Sequence, residues 1–335
     1  MKMCKKICII STGGTILGSL NDNGYTSAKL DFKDVFSTFL NSEFSKNIDF
    51  EILKPFSVGS QDMSYENLLI LMQTIKQNIS QNDAIIITHG TDTMEESAFL
   101  AFLLFHKTKI PIIFCAAMYP PKHLLFDGEK NLHFAIISSF KAKGVFVAMN
   151  ENLIPANEAI KLKSVGTDAF VSIKSLEAGI LKNSKNSENS KLNFLENSEN
   201  SSPKNSENSE NSKLNALNFS LPKSLANVVV IYADSTFEPF FESEFFKNIK
   251  GIVVVGMGAG TLNKNALEFF ESLQIPVVRA SRCALSYIAK DGELAKSTMI
   301  PSFYLSAPKA KILLSLAISN GASKEQIQKY FEFFA

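Results

Sequence analysis

Short runs of isoleucine and valine alternate with stretches of helical spacing through the first half of the chain. Lys6–Ser11, Ala84–Thr88, Ile110–Ala116 and Gly144–Met149 are apolar at nearly every position rather than every second one, the pattern of strands covered on both faces. Between them, Ser64–Ile79 has helical periodicity, and Thr93-Met94-Glu95-Glu96 opens a helix that ends near His106. Strand and helix in alternation predict a parallel sheet. The second half resumes with strands at Val228–Tyr232, Gly251–Gly256 and Pro276–Arg279, then amphipathic helices at Ala307–Ser319 and Lys324–Phe334, which predicts a second, smaller α/β domain.

Residues 183–213 interrupt this pattern. Asn and Ser fill 18 of these 31 positions and Asn-Ser-Glu-Asn-Ser recurs four times, so the stretch cannot bury enough apolar surface to offset an ordering entropy of ~1–2 kcal/mol per residue. The expected division is therefore 1–180 as an N-terminal catalytic domain, 181–222 as a disordered Asn/Ser-rich linker, and 223–335 as a C-terminal α/β domain.

Composition narrows the function. With 34 Lys+Arg against 33 Asp+Glu there is no global field to gather nucleic acid or anionic lipid, so a small neutral or zwitterionic substrate fits better than either. Cys4, Cys8, Cys115 and Cys283 form no C-x-x-C pair and read as buried free thiols. No run reaches the ~18 apolar residues of a membrane span, and Ile7–Ile10 is too short for a signal peptide core, so a cytoplasmic, membrane-free protein is expected.

Two apolar runs end in glycine-bounded threonine turns, Ser11-Thr12-Gly13-Gly14-Thr15 and Thr88-His89-Gly90-Thr91-Asp92-Thr93. Groups at the carboxyl ends of parallel strands face the ligand crevice, which makes Thr15 and Thr91 candidates for a hydroxyl nucleophile and its helper. Gly13-Gly14 permits a tight turn with N–H groups left to meet a developing oxyanion. Each of the other candidates has a plainer reading: Tyr25 as a packed loop residue, Ser60 and Gln61 as a helix cap, Thr91 and Asp92 as helix-start residues.

Taken together, Thr12-Gly13-Gly14-Thr15-Ile16, Gly59-Ser60-Gln61-Asp62-Met63 and Ile87 to Glu96 resemble the signature segments of the bacterial L-asparaginase family. Ala117-Met118, Asp127-Gly128, Asn131, Gly256 to Gly260 and Ser281-Arg282 extend the likeness along the chain outside the linker. The resemblance implies a two-domain asparaginase/glutaminase fold, with a larger N-terminal Rossmann-like sheet domain and a smaller flavodoxin-like C-terminal domain. It further implies hydrolysis of L-asparagine to L-aspartate and ammonia, with no metal or organic cofactor. Thr15 would be the nucleophile, polarised by Tyr25 from a mobile lid. Thr91 would assist with a lysine, matched to Lys163. Ser60 and Gln61 would hold the substrate α-carboxylate and Asp92 the α-amino group. A homotetramer is implied too, in which a neighbour's C-terminal domain completes the site through Glu293. Thr261 and Tyr119 replace the asparagine and arginine of many relatives, and Ile79 and Thr108 replace a cysteine pair, in keeping with a reducing compartment.

L-Glutamine is the nearest alternative substrate, since one methylene is worth only ~1–3 kcal/mol in a pocket. A non-catalytic amino-acid sensor would use the same pocket. A phosphate loop at Ser11–Gly18 is disfavoured, because it lacks both the G-K-[ST] ending and the G-x-G-x-x-G spacing.

Overall fold

The computed structural model of the chain describes residues 5–21, 24–175, 217–241, 243–290 and 294–335. Strand β1 (Lys5–Ser11) leads into a hairpin of β2 (Ser19–Asn21) and β3 (Gly24–Thr26), two single-turn helices α1 (Phe32–Val35) and α2 (Ser37–Leu40), and β4 (Ile48–Leu53). Then come α3 (Tyr65–Asn78), β5 (Ala84–Thr88), α4 (Met94–Phe105), β6 (Pro111–Cys115), α5 (Gly128–Ser138), β7 (Gly144–Met149) and β8 (Asn152–Pro155), followed by the pair β9 (Ala159–Lys161) and β10 (Phe170–Ser172). The second unit holds β11 (Val228–Tyr232), β12 (Gly251–Gly256), α6 (Lys264–Ser272), β13 (Val277–Ser281), β14 (Ile300–Pro301), α7 (Ala307–Ser319) and α8 (Lys324–Glu332).

The first sheet runs β4-β1-β5-β6-β7-β8, parallel except for the antiparallel β8. Every residue of β5 and β6 is buried, as their uninterrupted apolar runs require, because helices cover both faces. One face packs on α3 and α4 around Leu71, Met72, Phe99 and Phe114; the other packs on α1, α2 and α5 around Ile9, Phe36 and Ile136. The first strand is flanked by the second and third parallel strands of this sheet, so the winding direction reverses between β1 and β5. Such a switch point opens a crevice at the carboxyl ends of the two strands.

The second sheet is parallel in the order β11-β12-β13-β14. Helix α7 lies on it and also packs against α4, so the core is continuous between the two sheets, with Phe99 5.5 Å from Phe334 between ring centres. Ser306 caps α7 by accepting the N–H of Lys309, and Ser323 with Gln326 forms a capping box at α8.

The predicted strands and helices appear within a few residues of their expected bounds, whereas α1, α2, β4, β8, β14, the β2–β3 and β9–β10 pairs, α5 and α6 were not anticipated. β4 is an edge strand whose Asp49 and Glu51 interrupt its apolar pattern. Leu217 and Phe219, placed by composition in the linker, are buried against the helices of the second unit, with Phe219 4.6 Å from the Tyr330 ring. The rest of the expected linker, through residue 216, lies outside the described residues. Cys8 and Cys115 are buried free thiols as expected, but Cys283 is exposed on the turn after β13; Cys4 lies outside the described residues. Among the described residues no helix is long and apolar enough to cross a membrane.

The ends of β6 and β7 are joined by a buried polar knot. Asn131 donates to Ala116 O and Asp127 Oδ2, both at 2.9 Å, and accepts the Asn150 N–H at 2.9 Å. Asp127 in turn accepts the N–H groups of Met118 and Tyr119. Asn131→Ala strands these partners in the interior and is expected to lower unfolding free energy by about 2–3 kcal/mol, read from urea midpoints at constant m-value.

Candidate active site

Two glycines abut at the switch point. A Cβ on Gly14 would lie 2.3 Å from Gly90 Cα, and Gly14 has φ +81°, so neither the space nor the backbone admits a side chain there. This contact brings the Thr15 turn and the Thr91 turn into one crevice. Thr12 ties the two strand ends together by donating from both N and Oγ1 to Thr88 O at 3.0 Å.

A third segment is stitched alongside. Val58 donates to Thr12 O at 3.0 Å and accepts the Gly14 N–H at 2.9 Å, which carries Ser60 to the start of α4. There Ser60 Oγ accepts the Asp92 N–H at 3.1 Å, while Ser60 O accepts from Thr93 Oγ1 at 2.8 Å. Ser60 is buried and its hydroxyl proton is left to donate onward. Gln61 is exposed and donates to Asp62 Oδ2 at 3.1 Å. Because the Gly14 N–H is committed to Val58 O, it is not available to a developing oxyanion, contrary to the reading of the Gly-Gly turn from sequence.

Thr15 itself is half-buried, and the β2–β3 hairpin delivers Tyr25 to it: the phenol donates to Thr15 Oγ1 at 2.9 Å. The Tyr25 ring lies over Gly18, where a Cβ would stand 2.4 Å from the ring edge. Partial burial raises the phenol pKa above its ordinary value, with Asp92 adding to the effect against the hydrogen bonds to Thr15 and Ser27. Tyr25 is therefore a protonated donor near neutral pH.

The lysine at the second threonine is Lys161, not Lys163. From the end of β9, Lys161 Nζ donates to Thr91 Oγ1 at 2.9 Å and Asp92 Oδ1 at 2.6 Å, with its side chain only 17% exposed. Lys163, two residues on, pairs with Asp168 and lines a separate cavity of about 480 Å³ with Glu158 and Ser172. The sequence signal for Lys161 was its place directly after Ala159-Ile160, a short apolar strand that ends at the lysine; the match by resemblance fell two positions late. Thr261 is exposed on the turn it closes with Met257 after β12, and Glu293 lies outside the described residues.

His89, behind the Gly90 turn, is fully buried. Its Nδ1 lies 2.8 Å from Gly90 O, an acceptor, so Nδ1 carries the proton and Nε2 is a bare lone pair with no partner among the described residues. Burial pushes the imidazole pKa down to about 4, and His89 stays neutral. Among the described residues no group of three or more His, Cys, Asp or Glu side chains could hold a metal ion.

Gly14→Ala should yield a protein with disrupted packing between the β1 and β5 turns and loss of the Tyr25–Thr15 bond, seen as a lowered thermal midpoint together with loss of ligand binding. His89 produces a signature in pH. The unfolded histidine takes a proton below its ordinary value of 6.5 while the folded one resists down to about 4, so its contribution to stability is full above 6.5 and is lost as pH falls between these values. Half-buried Glu96, pushed up to about 7 by desolvation and by Glu95, has the opposite slope, favouring the folded state at low pH. The measurement is thus a difference: relative to wild type, His89→Gln should gain about 3 kcal/mol between pH 7 and pH 4 in urea titrations.

A family model described as Asparaginase, N-terminal, matches residues 6–193, and one described as Glutaminase/Asparaginase C-terminal domain matches residues 227–331. A protein named probable L-asparaginase periplasmic, from Haemophilus influenzae, is 30% identical over 340 residues, spanning 98% of this chain and 93% of its own length. A glutaminase-asparaginase from Acinetobacter glutaminasificans is 27% identical over 97% of this chain and 98% of its own. The crystal structure of a probable cytoplasmic L-asparaginase from Campylobacter jejuni superposes with a TM-score of 0.76 at 27% identity, covering 98% of this chain and 99% of that one. With both its domains matched and a relative this similar over nearly its whole length, the chain belongs to the asparaginase family.

Proposed function

We propose that this chain is an L-asparaginase that hydrolyses the side-chain amide of L-asparagine to L-aspartate and ammonia through a threonine-linked acyl-enzyme. The observation that carries the reading is the pairing of Thr15–Tyr25 with Thr91–Asp92–Lys161 across two glycine turns that touch. Thr15 Oγ adds to the amide carbon, and its proton passes to the departing nitrogen, which leaves as ammonia. Water then adds to the resulting ester; the carbon–Oγ bond breaks, aspartate is released, and Thr15 regains its proton.

Each neighbour has a task set by its protonation. Tyr25 donates to Thr15 Oγ1 and stabilises negative charge as it builds on that oxygen. Thr91 and Lys161 form a hydrogen-bonded relay through which a proton is moved to or from the attacking group. The zwitterionic end of the substrate requires partners of both signs. Asp92, with Oδ1 on Lys161, offers Oδ2 to the α-ammonium; the Ser60 hydroxyl and Gln61 amide donate to the α-carboxylate.

We further propose a cytoplasmic homotetramer in which the neighbour's C-terminal domain, through the Glu293 and Thr261 region, closes the site, with 1–180 and 223–335 acting as the two domains. Sedimentation at a mass four times 37.0 kDa is the expected outcome for the tetramer, and sedimentation at 37.0 kDa would overturn it. L-Glutamine is a second substrate to be weighed, favoured by the likeness to a glutaminase-asparaginase.

Ammonia release from L-asparagine and L-glutamine, measured side by side, tests the reading. Thr15→Ala, Thr91→Val and Lys161→Met should each lose at least about 10³-fold in kcat, whereas Lys163→Met should stay within about twofold of wild type. Retained activity in Lys161→Met with loss in Lys163→Met would return the role to Lys163. A folded wild type that turns over neither amide would favour the sensor.

A further inference from the structure

Lys161 is held at both ends by one helix start. Its Nζ bonds Thr91 and Asp92; its backbone N–H donates to Glu95 Oε2 at 3.1 Å. Glu95 lies in the first turn of α4 and is 8% exposed. A carboxylate so deep requires further donors, and it receives one from the other unit: Ser306 Oγ donates to Glu95 Oε1 at 2.5 Å. Ser306 is the residue that caps α7, so the same hydroxyl donates to Glu95 and accepts the Lys309 N–H. Lys309 is itself buried, with Nζ donating to Asn157 O at 3.0 Å, two residues before β9, and its charge compensates Glu95. α4, β9 and the start of α7 thus meet at one buried carboxylate.

We propose that Glu95 is a positioning residue that fixes the backbone from which Lys161 reaches Thr91, and that it makes this placement depend on the docking of α7. The inference rests on the reading of Lys161 as part of the hydrolytic relay. β9 is only three residues long and pairs with an equally short β10, so ladder bonds alone define its position weakly. With the carboxylate present, the strand cannot shift without breaking the Glu95 bond; with it absent, Nζ and backbone no longer share a frame. A displacement of about 1 Å at a catalytic group is enough to cost ~10²-fold in rate.

The test uses Glu95→Ala, Glu95→Gln and Ser306→Ala in the full-length protein, with steady-state ammonia release and mass-spectrometric acetylation of individual lysines. Glu95→Ala should lower kcat by about 100-fold with KM within about threefold, because the groups proposed to hold substrate are untouched. Glu95→Gln, whose amide oxygen still accepts the Lys161 N–H, should recover to within about tenfold of wild type. Ser306→Ala should lose about tenfold, and acetylation of Lys161 should be several-fold faster in Glu95→Ala than in wild type. Variants with a lower thermal midpoint but unchanged kcat and Lys161 labelling would overturn the proposal and leave Glu95 a structural residue. Unchanged kcat in Ser306→Ala would overturn the dependence on α7. If wild type releases no ammonia from either amide, the hydrolase reading fails, while Lys161 labelling still decides whether Glu95 sets the lysine.

Discussion

The approach of the Gly14 and Gly90 backbones is the contact on which the rest of the site depends. The sheet reverses its winding between β1 and β5, which leaves two strand ends side by side with their following turns projecting into the same space. Only residues without a Cβ let those turns touch, and only when they touch do Thr15, Thr91 and Asp92 line one crevice. The paired bonds of Thr12 to Thr88 O, and of Val58 to Thr12 and Gly14, hold the turns at that separation from the side. Geometry that would otherwise require several side chains is set by backbone packing.

Charge within the site is arranged in a chain rather than a cluster. Asp92 is matched by Lys161, Glu95 by donors from Lys161 and Ser306 with Lys309 close by, and the buried His89 avoids charge altogether. A buried carboxylate left without such partners would be strongly unfavourable. The arrangement places α4 at the centre of the molecule in an electrostatic sense: within its first turns it meets the crevice, the β9 strand and the second unit.

Much of this is legible in the sequence, and the exceptions have physical causes. The buried strands could be read because both faces of the sheet are covered, which removes the polar alternation that weakens other strand signals. Thr15 and Thr91 could be singled out because their turns carry glycines at the ends of buried strands, whereas Tyr25, Asp92 and Ser60 took their roles from the resemblance to the family. Lys161 was missed in favour of Lys163 because the two lie two apart, one at the end of β9 and one just beyond it, where pattern alone cannot say which reaches across to α4; the Lys161 bonds to Thr91 and Asp92 and the pairing of Lys163 with Asp168 separate them. Glu95 itself read as a simple helix-start acid, since its partner Ser306 is over two hundred residues away and long-range pairing leaves no local trace.

The floor of the crevice rests on glycine: at Gly13 and Gly14 a Cβ would meet neighbouring backbone, and at Gly90 it would meet buried Ser60 and Gly14. A surface of this kind has almost no mutational freedom, so divergence in what such a protein accepts must be written on its walls. Here the walls are the Ser60–Asp62 turn, the hairpin that carries Tyr25, and whatever surface closes over them. The chemistry is thereby conserved by sterics while selectivity can drift through residues that are free to change size, which is one physical route by which a single scaffold can serve amides that differ by one methylene.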